Sequence, residues 1–201
     1  GVWGVKDAGC QIRLTNRKGE DLTGDRRVEP ATGAVSSVQE VCGRGNVTRL
    51  TQCWYQQRLL DGALEYKLGR IPLSDDFATL DSRFQNLYLG GAQPGNQAGG
   101  VWYNWPVSQW GGRVKLQDAG HRYLQVGVFD QNPENLDPDQ GLDLYRHGSE
   151  GVIAPVEVGW TPDSGPGGLP GKYKIGAYYS SAEATDYGQG GTTGRRYGGY
   201  F

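Results

Sequence analysis

Apolar and polar residues alternate with a period of two along almost the whole chain, and no other feature restricts its fold as much. In Leu64-Glu-Tyr-Lys-Leu-Gly-Arg70 one face carries Leu64, Tyr66 and Leu68, and the other Glu65, Lys67 and Gly69. Arg122 to Phe129 sets Leu124, Val126 and Val128 against Tyr123, Gln125 and Gly127. Gly151 to Trp160 sets Val152, Ala154, Val156, Val158 and Trp160 against Glu157 and Gly159. Lys172 to Ser180 opposes Tyr173, Ile175, Ala177 and Tyr179 to Lys172, Lys174 and Gly176, and Val114 and Leu116 interleave with Arg113, Lys115 and Gln117. Successive strand side chains point to opposite faces, so each segment is a strand with one apolar side. Arg49 to Leu60 breaks the pattern: Leu50, Trp54 and Leu60 share a phase with Gln52 and Gln56, which leaves its register open.

The connections sort by length. Lys6 to Gly9, Asp61-Gly62 and Asp118 to His121 are short, and Thr161 to Gly171 is short to middling. Between them lie the longer Arg17 to Asn46, Pro72 to about Trp105, Gln131 to Gly148 and Ser181 to Gly194. Up-and-down membrane barrels make short periplasmic turns and long external loops, whereas a soluble sandwich has no reason to sort its loops. The expectation is therefore an all-β, transmembrane antiparallel up-and-down β-barrel, with residues 1–201 as one partial barrel domain. Nine strands are expected, from Val2 to Val5 through one entering at Arg195. Nine is odd and closure is obligatory in lipid, so the chain reads as a central piece of a larger barrel. No initiator or charged leader opens it. The polar phase then faces water, which makes Lys67, Arg113, Lys115, Glu157 and Lys174 candidates for lining a lumen.

Composition agrees. The 201 residues include 34 Gly, 12 Tyr, 6 Trp and 4 Phe, too aromatic for a disordered tail. A formal charge of -2 gives no electrostatic reason to expect nucleic acid as a partner. No run approaches the ~18 apolar residues of a membrane helix. Three cysteines, Cys10, Cys42 and Cys53, lack metal-ligand spacing, and any disulfide leaves one thiol over. The two histidines, His121 and His147, sit in connections, and no catalytic elbow, phosphate loop or cofactor motif is present. Asn132-Pro-Glu-Asn-Leu-Asp137 is acidic but lacks calcium-loop spacing and reads as turn chemistry. An enzyme is not expected.

Two segments carry binding chemistry. Trp102-Tyr-Asn-Trp-Pro-Val-Ser-Gln-Trp110 supplies flat aromatic faces that stack on sugar rings, with Asn104, Ser108 and Gln109 able to reach hydroxyls; the plainer alternative is an interfacial girdle or loop core. Phe84-Gln-Asn-Leu87 and Gly90 to Gly95 lie in the longest internal connection, which in a barrel can fold inward and narrow the lumen. Asn86, Trp102 and Trp105 join the candidate lumen residues on this basis, and Arg70, at the end of the Leu64 to Arg70 strand, is added to them.

These same strings are similar to the carbohydrate-selective porins of the OprB type. The resemblance runs through Arg49-Leu-Thr-Gln52, Trp54-Tyr55, Lys67-Leu-Gly-Arg70, Asp76-Phe77, Phe84-Gln-Asn-Leu87, Gln93-Pro-Gly-Asn96, Trp102 to Trp110, Gln125-Val-Gly-Val128 and Asn132-Pro-Glu-Asn-Leu136. It covers most of this chain but only the middle of a family member. It implies a barrel of about sixteen strands in the Gram-negative outer membrane, surrounded by lipid, with glucose and related sugars diffusing passively through a water-filled lumen and no cofactor. Family members often carry cysteines flanking the Phe-Gln-Asn-Leu string; Ser82 and Gly90 stand there, so no loop bridge carries over. The alternatives are a β-sheet carbohydrate-binding module using the Trp102 to Trp110 loop, and a non-selective general porin. The pattern assigns no oligomeric state.

Overall fold

The computed structural model describes residues 4–19, 45–80, 101–186, 188 and 190–201. Its strands are β1 (Ala8–Arg17), β2 (Val47–Leu59), β3 (Leu64–Ile71), β4 (Gln109–Gln117), β5 (Arg122–Gln131), β6 (Gly151–Trp160), β7 (Tyr173–Ser180), β8 (Ala184–Thr185), β9 (Thr192–Thr193) and β10 (Arg196–Tyr200). Eight of them form one sheet in the order β1-β2-β3-β4-β5-β6-β7-β10, while β8 and β9 pair separately. Every pairing in the large sheet is antiparallel between chain neighbours, apart from the small hairpin inserted before β10. The first expected strand, Val2 to Val5, lies mostly outside the described residues, and its last residue makes only an isolated bridge.

Short and long connections alternate as expected. Four residues join β2 to β3, with Leu60 and Asp61 both at positive φ (54° and 53°), the left-handed geometry that lets a hairpin follow the strand twist. At the β4–β5 turn, Asp118 accepts from the Arg122 amide at 2.9 Å through its carboxylate.

The alternation also sorts the faces. Leu64, Leu116, Leu124, Val158 and Ile175 stand opposite one another across five strands. Tyr66, Val114, Val126, Val156 and Ala177 form the adjacent row. Most of these side chains are exposed, together with Ile12, Leu14, Leu68 and Val128. A soluble protein rarely leaves so continuous an apolar band in water, which argues against the binding-module alternative. Aromatics edge the band near the short turns, where Trp160 packs on Tyr173 at 5.6 Å and Tyr55 on Tyr66 at 6.1 Å. This is the girdle expected at a membrane interface.

The open phase of β2 has a physical cause. Arg13 pairs with Gln52 but Leu14 pairs with Leu50, so Thr51 is an extra residue and the strand bulges there. A bulge reverses the phase of the residues beyond it. Arg49 and Thr51 are buried on one side of it, and Gln52, Trp54, Gln56 and Arg58 all contact inner-face partners on the other.

The opposite face of the sheet is covered from within. After β3, a 3-10 turn at Leu73–Asp75 starts a segment that lies on the inner wall instead of projecting from the rim. Ile71, Leu73, Phe77, Ala78, Val101, Trp102, Phe129, Ile153 and Tyr200 make a compact apolar cluster there. Glycines make room for it: a Cβ on Gly127 would collide with the rings of Phe129 and Phe77, and one on Gly111 with Phe129. Phe77 and Phe129 meet edge-to-face at 5.9 Å. At these positions glycine thins the wall to seat aromatic rings.

Outward and inward positions should respond differently to charge. Val126→Arg, in the centre of the apolar band, is expected to destabilise the full-length protein in lipid by about 2–4 kcal/mol, and Val126→Leu by less than about 1.5 kcal/mol. Equilibrium unfolding from lipid vesicles measures both.

Candidate functional site

The inner wall between β2 and β7 is a ladder of polar residues crossed by the segment 72–80. Glu65 on β3 faces Arg58 on β2 and Lys115 on β4, and Lys115 leads through Gln125 on β5 to Glu157 on β6. One inward position along, Lys67 stands beside Gln56 and Arg113. Strand pairing alone fixes these positions.

The inward segment brings the counter-charge. Asp76 lies between two wall cations, 3.1 Å from Lys67 Nζ and 3.1 Å from Arg113 Nε. Arg113 also donates to Glu65 at 2.6 Å, and Glu65 accepts from Arg58 at 2.7 Å. Lys67 additionally lies over the Trp54 ring at 4.6 Å. The order Arg58, Glu65, Arg113, Asp76, Lys67 alternates in sign at every step. Partly desolvated charges need this arrangement, because an unpaired one costs several kcal/mol. Asp75 beside it is bonded by the Gln52 amide, and burial pushes its carboxyl above the ordinary carboxylate range.

The segment is tied at further points. Gln125 donates to the Asp76 carbonyl at 2.7 Å. Lys174 donates to the Thr79 carbonyl, and to its hydroxyl at 2.9 Å. Glu157, only 1% exposed, accepts from the Ala78 amide at 2.8 Å. Lys67, Arg113, Glu157 and Lys174 therefore all sit on the inner wall, and all are engaged by the segment that crosses it. Lys115 is half-buried beneath, with its ammonium 4.4 Å from the Tyr123 ring.

Arg70 occupies a different place. Strict alternation from Lys67 assigns it to the outer face, yet its guanidinium is buried at the long-loop end. There it donates to the Ser108 carbonyl at 2.9 Å, Asn135 Oδ1 at 3.0 Å and the Asp143 carbonyl at 2.7 Å. Gly69 before it holds φ at 140°, open only to glycine, and a Cβ there would strike the β2 backbone. Arg49 donates to the Asn135 and Leu136 carbonyls at 2.7 and 3.0 Å, so two buried arginines staple the connection after β5 over the mouth. That connection begins with Asn132 and Asp137 capping successive 3-10 turns, the turn chemistry expected of it. Arg146 anchors its far end on Asp130 at 2.7 Å, and that bond holds the guanidinium above its ordinary value.

The tryptophans separate. Trp102 is 3% exposed, its indole edge-on to Tyr178 at 5.4 Å and Tyr200 at 5.6 Å, so it is packed as core. Trp105 is 42% exposed, with the Arg17 guanidinium 4.9 Å above its ring. Asn86 and the Phe84 to Gly95 strings lie outside the described residues, as does Cys42; Cys10 and Cys53 are free thiols. Among the described residues no group of His, Cys, Asp and Glu is arranged to hold a metal ion, and no helix is long and apolar enough to cross a membrane.

Sequence reasoning missed Asp76, Gln52, Gln125 and Tyr123. The first lies in a connection without periodicity, and the second behind the bulge. Gln125 and Tyr123 were in the correct phase, and their neutrality hid them.

Comparison with known proteins gives a consistent picture. Residues 2–199 match the family model for the carbohydrate-selective porin, OprB family. The chain is 47% identical to Porin B of Pseudomonas aeruginosa over 185 residues, covering 92% of this chain and 41% of that protein. It is 41% identical to the putative porin QuiX of Acinetobacter baylyi, over 93% of this chain and 44% of that protein. The high-pH structure of Pseudomonas putida OprB superposes with a TM-score of 0.88 at 42% identity, over 98% of this chain and 50% of that one. The chain thus spans about half the length of the relatives it matches.

Asp76→Ala leaves Lys67 and Arg113 facing each other across the vacated position. The expected loss is about 3 kcal/mol, the low end for removing one partner of a buried charge group, because Glu65 still neutralises Arg113. Denaturant unfolding of the folded full-length protein, read beside a surface control such as Asp163→Ala, checks it.

Proposed function

Because the chain belongs to the OprB family of carbohydrate-selective porins, β-barrel proteins of the Gram-negative outer membrane, we propose that it forms part of a barrel through which sugars such as glucose diffuse passively. The observation that carries this reading is the pairing of an outward apolar band with an inner wall of alternating charges, narrowed by a segment folded onto it. Such a lumen discriminates by width and by polar groups that replace part of a solute's hydration shell. It needs no energy source, no cofactor and no reacting side chain, so the reading is of a channel and not of an enzyme.

The proposed sugar contacts divide by what each side chain is free to do. Lys115, half-buried over Tyr123, and Trp105, part-exposed under Arg17, are the groups best placed to meet a passing solute. A pyranose presents hydroxyls to an ammonium and an apolar face to an indole, and the two together suit a neutral sugar better than an ion. Lys67, Arg113, Glu157 and Lys174 shape the lumen by holding the inward segment, and Arg70 shapes its mouth. Trp102 supports that segment from beneath. Asn86 is proposed as a contact from its place in the longest internal connection.

Liposomes carrying the full-length protein should swell faster in glucose than in a neutral non-sugar of similar size, and glucose should block ion current through single channels. Equal swelling rates and no block would make this a general porin. Trp105→Ala is expected to raise the half-blocking glucose concentration about 3- to 10-fold, as losing about 1 kcal/mol of stacking would, with ion conductance in the absence of sugar little changed.

A further inference from the structure

Glu157 does more than line the wall. Its carboxylate is 1% exposed and collects four donors from four residues of the chain. Tyr123 Oη and Gln125 Nε2 on β5 donate to Oε1 at 2.8 and 2.9 Å. The Ala78 amide of the inward segment and Tyr200 Oη on β10 donate to Oε2, both at 2.8 Å. The three side-chain donors lie on wall strands and hold the carboxylate in place. The fourth, the Ala78 amide, belongs to the segment the wall has to carry.

Ala78 sits at φ 52°, a left-handed conformation costly for a residue with a Cβ. Glycine would adopt it freely, so something must hold alanine there: it is packed in the apolar cluster and its amide donates to Glu157. Before Ala78 the segment is anchored by Asp76 and by Phe77 in the apolar cluster. After it, Thr79 is held by Lys174 on β7, and Leu80 beyond is exposed. The turn at Ala78 therefore sets the course of the chain between these anchors.

We infer that Glu157 is a positioning residue that sets the aperture of the channel by fixing the Ala78 turn. This deepens the porin reading and rests on it. The segment has three anchors: charge at Asp76, the Glu157 bond to the Ala78 amide, and Lys174 on Thr79. The Asp76 cluster binds it by charge near β3 and β4, and Glu157 binds its backbone farther round the wall, at β6. Losing the Glu157 anchor loosens the turn while Asp76 and Lys174 still tether the segment on either side of it, so the lumen widens without the barrel coming apart.

The test uses the full-length protein in planar bilayers and liposomes. Glu157→Ala is expected to raise single-channel ion conductance and to shift the size limit for sugars in liposome swelling above that of the unsubstituted protein. Unheated gel migration should still report a folded barrel. A purely structural residue would lower the yield of folded protein and leave conductance and size limit unchanged in the molecules that fold. If Glu157→Ala does not fold, Glu157→Gln keeps the shape and one acceptor oxygen, and it should raise conductance by a smaller factor. Tyr123→Phe removes a wall donor from Oε1 while sparing the Ala78 bond to Oε2, and should leave the size limit as it is. Folded Glu157→Ala or Glu157→Gln channels with unchanged conductance and size limit would overturn the assignment. Failure of the unsubstituted protein to pass any sugar would instead overturn the porin reading, since ion conductance is read separately.

Discussion

In a bilayer no water reaches the backbone, so every amide and carbonyl of a spanning strand must find its partner on a neighbouring strand. That requirement fixes the antiparallel sheet, and the sheet in turn fixes the two-residue period. The rest of the molecule is built on the split it makes. One phase of each strand meets hydrocarbon and becomes Leu, Val and Ile, edged by Trp160, Tyr173, Tyr55 and Tyr66. The other phase meets water or protein and becomes Glu65, Lys67, Arg113, Lys115, Gln125 and Glu157. A chain that is polar on average can therefore be a membrane protein, because half of its strand residues never face the lipid.

A wall built that way leaves charges with too little around them, and the segment 72–80 completes it. Asp76 supplies the anion between Lys67 and Arg113, Phe77 fills space cleared by Gly127, and the Ala78 amide finds Glu157. Charge, shape and backbone hydrogen bonding converge on this one short stretch. Removing any one of these contacts leaves the others in place, so the segment is held at several points. The staple of Arg49 and Arg70 over the connection after β5 works on the same logic at the mouth, where buried guanidiniums are satisfied largely by carbonyl oxygens.

The strands were legible in the sequence because lipid enforces their period so strictly. The alternations at 64–70, 122–129 and 151–160 correspond closely to β3, β5 and β6, and the long and short connections between strands alternate as their lengths in the sequence do. The phase of β2 was not legible, since one extra residue at Thr51 reverses it and a bulge has no composition of its own. Arg70 escaped the alternation for a related reason, at the glycine-only geometry of Gly69. The partners of the wall charges were illegible as well. Asp75 and Asp76 lie in a connection, where no period says which way a side chain points. Trp102 and Trp105, three residues apart in one aromatic string, part company as core and surface for the same reason.

The docking of the inward segment is the central claim, and amide hydrogen exchange tests it most directly. The Asp75 amide donates to the Pro72 carbonyl, those of Asp76 and Phe77 to Leu73, and that of Ala78 to Glu157, so four successive amides are bonded. In the full-length protein in detergent, a peptide covering these residues should stay protected on the timescale of the flanking β3 strand. Complete exchange within seconds, at the rate of an exposed loop, would mean that the segment is not held on the wall, and the account of the lumen would fail with it.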